Sequence, residues 1–315
     1  QRSLLQQCVS TLSLSLIRSL VAQVQVNGVD IEYEISGSGE PLLLIMGLGG
    51  QLTDWPQEFV DRLAQHFQVI RYDNRDSGLS SYSTVPAPTR WELIKGNLHP
   101  GSIEPPYRLR DMANDALGLL HALDLDDAHI VGMSMGGMIA QLIAAGSPTS
   151  TRSLCSIMSN TGDRRTGRPT PGVVASIARR GQPSRSEALD VTIELFRRVG
   201  GRDWDEHEQR VRSAISLDRA YNPAGVLRQS QAIAASPDRT QALRQVTAPT
   251  LIVHGLEDTL VRPSGGVATA AAIPQSRLIM FPRMGHNLPR SRDHELITAI
   301  RTNAARANAA RSRPS

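Results

Sequence analysis

The chain has 315 residues, 40% of them apolar and 20% charged, and 34 basic against 30 acidic residues leave a net charge of +4. This composition excludes a largely disordered chain, and the positive excess is too small to argue for nucleic acid as a partner. The two cysteines, Cys8 and Cys155, exclude a disulfide-stapled scaffold, their spacing excludes a CxxC zinc site, and no apolar run is long enough to span a membrane.

Residues 12–22 are moderately apolar, but serines alternate with the leucines and Arg18 sits among them, unlike the continuous apolar stretch of a secretory signal. Residues 1–22 are therefore set aside as an N-terminal extension. A cytoplasmic protein is expected, with secretion through this segment as the alternative. Val24–Val26 and Ile31–Ile35 alternate apolar and polar residues on either side of Asn27-Gly28, which predicts a hairpin. Leu42–Met46 is a continuous apolar run ending at Gly47, the pattern of a strand buried on both faces of a parallel sheet. A helical stretch over 57–66 leads to a short strand at 69–72. Residues 80–108 hold Pro86, Pro88, Pro100, Pro105 and Pro106 and read as a long loop. Leu109, Met112, Ala116, Leu119 and Leu120 keep helical spacing over 109–123.

Further strands are expected at 129–132, 154–158, 251–255 and 277–281, with helices at 136–145 and from about 292 to 304. Strands alternating with helices argue for an α/β fold, a mostly parallel central sheet flanked by helices. Residues 160–245 break that rhythm. They are helix-rich, polar and basic, and read as a helical cap inserted over the sheet. The core is then 23–159 and 246–304. Residues 305–315, part of a C-terminal stretch with Arg306, Arg311 and Arg313 and no acid, read as a disordered basic tail.

Gly132-Met133-Ser134-Met135-Gly136 matches G-x-S-x-G, after a predicted strand and before a predicted helix. That context makes the motif specific. The turn has no room for large side chains, so the glycines let the backbone pass itself while the serine is held above the sheet. A serine hydroxyl needs an oriented base, and the motif sets the expected chain order as serine, acid, histidine. Among the eight histidines, His286 alone follows a late strand in a glycine-containing turn, Met284-Gly285-His286-Asn287. His254 ends a strand ahead of the candidate acids and is read as structural. Leu256-Glu257-Asp258-Thr259 supplies the acid. Asp258 is preferred, with Glu257 as the alternative. An oxyanion needs two amide donors. Met135 supplies one. Leu48, in Met46-Gly47-Leu48-Gly49-Gly50, supplies the other.

These residues resemble the α/β-hydrolase superfamily over 24–300. More narrowly, three stretches resemble the aclacinomycin methylesterase-like esterases of that fold: Ile45-Met46-Gly47-Leu48 leading to Trp55, Arg71-Tyr72-Asp73-Asn74-Arg75-Asp76-Ser77-Gly78, and Gly132-Met133-Ser134-Met135-Gly136-Gly137. The resemblance implies the triad Ser134, Asp258 and His286, oxyanion donors Leu48 and Met135, and a helical cap after the strand at 154–158. The Asp73–Gly78 stretch is read as holding loops together near the site. Serine at 134 excludes haloalkane dehalogenase and epoxide hydrolase chemistry, which use aspartate there.

The expected activity is hydrolysis of small or medium carboxylic esters, or of the methyl ester of a larger natural product, through an acyl-enzyme. No metal or organic cofactor is called for. A cofactor-free perhydrolase (haloperoxidase) or a C–C bond hydrolase with the same triad is the alternative, and a non-catalytic small-molecule binder is a third. Met133, Met135, Met138, Leu48 and Trp55 are candidates for an apolar pocket lining, with the alternative that several of them simply fill the core. A monomer or homodimer is the default, with a small-molecule ester as the partner.

Overall fold

The Asn27-Gly28 dipeptide reverses the chain because both residues take positive φ, 48° and 76°, as a two-residue hairpin of matching twist requires. The flanking strands β1 (Leu20–Val26) and β2 (Val29–Ser36) pair antiparallel. In the computed structural model, residues 20–89, 91–93, 95, 104–180 and 183–311 are described. β1 thus begins inside the stretch set aside as an extension. Residues 1–19, with most of the candidate signal segment, lie outside the described residues.

Six more strands complete the sheet: β3 (Glu40–Ile45), β4 (Phe67–Tyr72), β5 (Ala128–Met133), β6 (Thr151–Ile157), β7 (Thr250–Gly255) and β8 (Arg277–Phe281). Their spatial order is β1-β2-β4-β3-β5-β6-β7-β8. β2 runs antiparallel to both its neighbours, and every other pair is parallel. Alternate residues of the central strands feed two cores. Leu43, Ile45, Ile130 and Ile252 face α2 (Leu109–Ala122) and α3 (Met135–Gly146). Leu42, Leu44, Val131, Leu251 and Val253 face α1 (Gln57–Ala64) and the last helix. Continuous apolar runs such as Leu42–Ile45 follow directly: a strand covered on both faces has no solvent side.

Between β6 and β7 the described residues form helices and no strand: α4 (Pro171–Arg180), α5 (Arg185–Val199), α6 (Glu206–Arg219), α7 (Pro223–Ala234) and the short α8 (Thr240–Leu243). Their arginines largely meet acids, for example Arg197 with Glu206, Arg198 with Glu194 and Arg210 with Asp190. The basic character of this stretch is therefore mostly paired surface, which contributes little stability per pair.

After β7 come α9 (Ser264–Ala272) and α10 (Asp293–Arg311). α10 runs seven residues into the expected disordered tail. Alanine-rich sequence favours helix there. Ala304 and Ala307 are buried, Arg306 donates to the Gln275 carbonyl, and Asn308 donates to Glu40. The long loop also differs from expectation: residues 91–93 and 95 are helical, while 96–103, with His99 and Pro100, lie outside the described residues.

Candidate active site

Ser134 sits between β5 and α3 with φ 57° and ψ −118°, a conformation that costs an L-residue strain. The glycines around it explain how the turn closes. A Cβ on Gly132 would lie 2.1 Å from the Gly136 carbonyl oxygen, and one on Gly136 would lie 2.0 Å from that of Ile45. The serine is fixed from below: its N–H donates to Ile157 at 2.8 Å, and its carbonyl accepts from Ser159 Oγ at 2.9 Å.

The three side chains expected to act together meet. His286 Nε2 lies 3.0 Å from Ser134 Oγ, and His286 Nδ1 lies 2.7 Å from Asp258 Oδ2. Asp258 and His286 are both buried. The other Asp258 oxygen accepts the amides of Leu260 and Val261 at 2.9 and 2.8 Å. Burial alone would raise the Asp258 carboxyl. His286, and His254 behind it, outweigh that and hold it below its ordinary value. Because a carboxylate only accepts, Nδ1 of His286 carries the proton, and Nε2 is left free to take one from the serine.

Glu257, the alternative acid, is engaged elsewhere. Its carboxylate accepts the Arg202 backbone amide at 2.9 Å and pairs with the Arg202 guanidinium. His254 is fully buried and donates from Nε2 to the Val261 carbonyl at 2.7 Å, in keeping with a structural role. His66, His121, His207 and His294 are exposed, and His129 is buried against Ser153 Oγ.

The loops are fitted to one another. The Leu256 and Glu257 amides donate to the carbonyls of Phe281 and Met284, tying the acid loop to the histidine loop. The histidine loop also rests on the end of α5: Gly285 N–H donates to Gly200 at 2.9 Å and His286 N–H to Val199 at 2.6 Å. Only glycine fits at 285, where a Cβ would stand 2.1 Å from the Val199 oxygen.

The loop after β3 approaches the serine from the other side. A Cβ on Gly47 would be 3.1 Å from Ser134 Cβ. Gly50 N–H closes a turn onto the Gly47 carbonyl at 3.1 Å, and Leu48 occupies its second position. As the first residue of α3, Met135 has an amide with no intrahelical acceptor. The turn is held by residues far away in sequence. Asn74 Nδ2 donates to the Met46 carbonyl, Ser77 Oγ to the Gly50 carbonyl, and Gln229 Oε1 accepts Gly49 N–H at 2.7 Å.

The Asp73–Gly78 stretch does join loops. Asp73 accepts the Leu52 and Leu79 amides and binds Arg219 of α6 at 2.5 Å. Asp76, at φ 67°, takes a bidentate contact from Arg228 of α7 at 2.8 and 2.6 Å and the Tyr107 hydroxyl at 2.6 Å. Gln229, Arg219, Arg228 and Ser159 belong to no sequence motif, so nothing in the sequence marks them as supports of the site. Of the candidate lining residues, Trp55, Met135 and Met138 are buried in the two cores, Trp55 stacked on Phe59 at 6.0 Å, so they fill the interior instead. Leu48 is 41% exposed. Among the described residues, no group of three or more His, Cys, Asp or Glu is arranged to hold a metal ion, and no helix is long and apolar enough to cross a membrane.

A family model described as the alpha/beta hydrolase fold matches residues 40–289. The chain belongs to the α/β-hydrolase fold family. Within that family this hydrolase-fold chain is 30% identical over 283 residues to the rhodomycin D methylesterase DauP of Streptomyces sp. (strain C5), across 82% of this chain and 89% of DauP. It is equally similar, 30% over 283 residues with the same coverage of 82% and 89%, to the rhodomycin D methylesterase DnrP of Streptomyces peucetius. These two relatives agree with the narrower resemblance to methylesterase-like esterases. Among solved structures, the enol-lactonase from Burkholderia xenovorans LB400 superposes with a TM-score of 0.69 at 22% identity, covering 90% of this chain and 100% of that one. At that identity the superposition speaks for the shared fold.

Proposed function

We propose that this protein is a serine hydrolase that cleaves carboxylic esters through an acyl-enzyme. The observation that carries the reading is the unbroken hydrogen-bond path from Ser134 Oγ to His286 and on to Asp258, 3.0 and 2.7 Å long. Ser134 Oγ attacks the ester carbonyl while His286 Nε2 takes its proton. Asp258 keeps the imidazole in the tautomer with Nδ1–H and stabilises the imidazolium as it forms. The oxyanion is held by the amides of Leu48 and Met135, which face developing charge without reorganising. His286 then protonates the departing alcohol and later activates the water that releases the acid.

The helices between β6 and β7 act as a cap that shapes the acyl and alcohol pockets. Two relatives that bear the name rhodomycin D methylesterase support a methyl ester of a larger natural product as substrate class, alongside small and medium esters. The test is hydrolysis of p-nitrophenyl esters from acetate to palmitate, together with a methyl ester of a polycyclic acid, by wild type and Ser134→Ala. Turnover by wild type that falls at least about 10⁴-fold in the variant is expected. A folded wild type inert toward every ester, or an active Ser134→Ala, overturns the reading.

A further inference from the structure

We infer that Gln229, on α7, is a positioning residue for the oxyanion site. The inference rests on the esterase reading above. Gln229 is fully buried, and both ends of its amide are used: Oε1 accepts Gly49 N–H at 2.7 Å, and Nε2 donates to the Arg75 carbonyl at 2.8 Å. Gly49 is the third residue of the turn whose second residue is Leu48. Its φ of 68° is the value that a type II turn demands at that position.

The turn's geometry links the two residues. The Gly47 carbonyl points inward to Gly50 N–H at 3.1 Å. In a trans peptide the N–H lies opposite its carbonyl, so the Leu48 N–H points away from the turn. The same peptide lies beside Ser134, since a Gly47 Cβ would stand 3.1 Å from the serine Cβ. The direction of the Leu48 donor is therefore only as fixed as the turn. Type I and type II turns differ by a flip of the central peptide, here Leu48–Gly49; the Gly47–Leu48 peptide that carries the Leu48 N–H keeps its direction only while the turn stays closed, and the bond to the central peptide is what keeps it closed. That peptide's N–H is the group Gln229 holds.

α7 braces this bond further. Val226, one turn before Gln229, packs on Gly49, where a Cβ would come within 2.8 Å of Val226 Cγ2. Arg228 locks the helix onto Asp76 with two bonds, and Asn222 Nδ2 donates to the Asp76 carbonyl. A helix of the insertion thus sets the shape of a loop that belongs to the sheet.

The experiment compares Gln229→Met, which keeps bulk without an acceptor, with Gln229→Glu, which keeps an acceptor oxygen. kcat and KM are measured on the best p-nitrophenyl ester, and phenylboronic acid, which binds the serine as a tetrahedral adduct, probes the oxyanion site. Loss of an oxyanion donor costs about 10²–10³ in kcat, so misorientation of one is expected to cost about tenfold. In Gln229→Met, kcat falls about tenfold, KM stays within about twofold, and boronate affinity falls in step. Gln229→Glu recovers most of the loss. Gln229→Asn, whose amide is one methylene too short to reach Gly49, replaces the Met variant if that one does not fold. Unchanged kcat and boronate affinity in a folded Met or Asn variant overturn the proposal. An inert wild type or an active Ser134→Ala removes the esterase reading and this proposal together, whereas an active wild type with an inactive Ser134→Ala and an unaffected Gln229→Met removes this proposal alone.

Discussion

The end of β7 and the loop after β8 each bring a histidine to the same carboxylate oxygen. His286 stands 2.7 Å from Asp258 Oδ2, and His254 stands 3.5 Å from it. His286 uses one nitrogen on the acid and offers the other to Ser134. His254 faces the acid and the Val261 carbonyl with the same nitrogen, Nε2, and its Nδ1 is buried without a partner, pressed toward Gly266. Proton transfer to a substrate needs a histidine that bridges two groups. His254 is a brace instead, holding the acid loop by its carbonyl. The difference is one of placement: His254 lies inside the strand and cannot turn out of the core, while His286 lies in a loop.

Asp258→Asn should break this comparison most severely. An amide at 258 favours the wrong His286 tautomer, so kcat on a p-nitrophenyl ester should fall about 10³–10⁴-fold. Stability should fall too, with a defined pH dependence. The Asp258 carboxyl is held below its ordinary value, so its contribution is present above the unfolded value and is lost as pH falls through the folded one. Thermal melts should therefore show the variant's deficit at pH 7 shrinking toward pH 3. A deficit that stays constant over that range would contradict the assignment.

His254→Leu sharpens the contrast from the other side. It leaves the Val261 carbonyl without its donor, at a cost of about 1–3 kcal/mol. Tm should drop by several degrees while kcat stays within about tenfold of wild type. A kcat loss as large as that of Asp258→Asn would make His254 a member of the machinery.

An effect on stability alone is expected at Asp293, a buried carboxyl at the head of α10. Burial pushes it up to about 6, against the pull of Arg62 and Arg290. Because its folded value exceeds the unfolded one, stability declines as pH rises through about 6 and levels off above it. Asp293→Asn should be more stable than wild type by roughly 2 kcal/mol at pH 8, with the gain vanishing by about pH 4. Denaturant titrations at both pH values check this.

Much of this was legible in the sequence because it is local. Strand and helix periodicity, the Asn27-Gly28 turn and the glycines around Ser134 are all fixed by neighbours within a few residues. Chain order then pointed to Asp258 and His286, and those side chains do converge. The supports were not legible, because a buried glutamine has no pattern of its own. Gln229 meets a partner 180 positions away, and Arg219 meets Asp73 across 146. The methionines leave lining and core filling open for a related reason: Met135 and Met138 are apolar wherever they point, and only packing shows that they point inward. The alanine-rich end of α10 reads as a solvated tail because Arg306, Arg311 and Arg313 have no acid beside them in sequence, whereas Ala307 faces the core and Asn308 reaches Glu40.

The seat of His286 on the end of α5 has a consequence for how this chain can vary in length. The 15-residue helix Arg185–Val199 works as a ruler, its last carbonyls meeting the amides of Gly285 and His286. One residue inserted within it shifts that end by about 1.5 Å and turns it by about 100°. The His286 imidazole would then lose its footing, although no residue near it had changed.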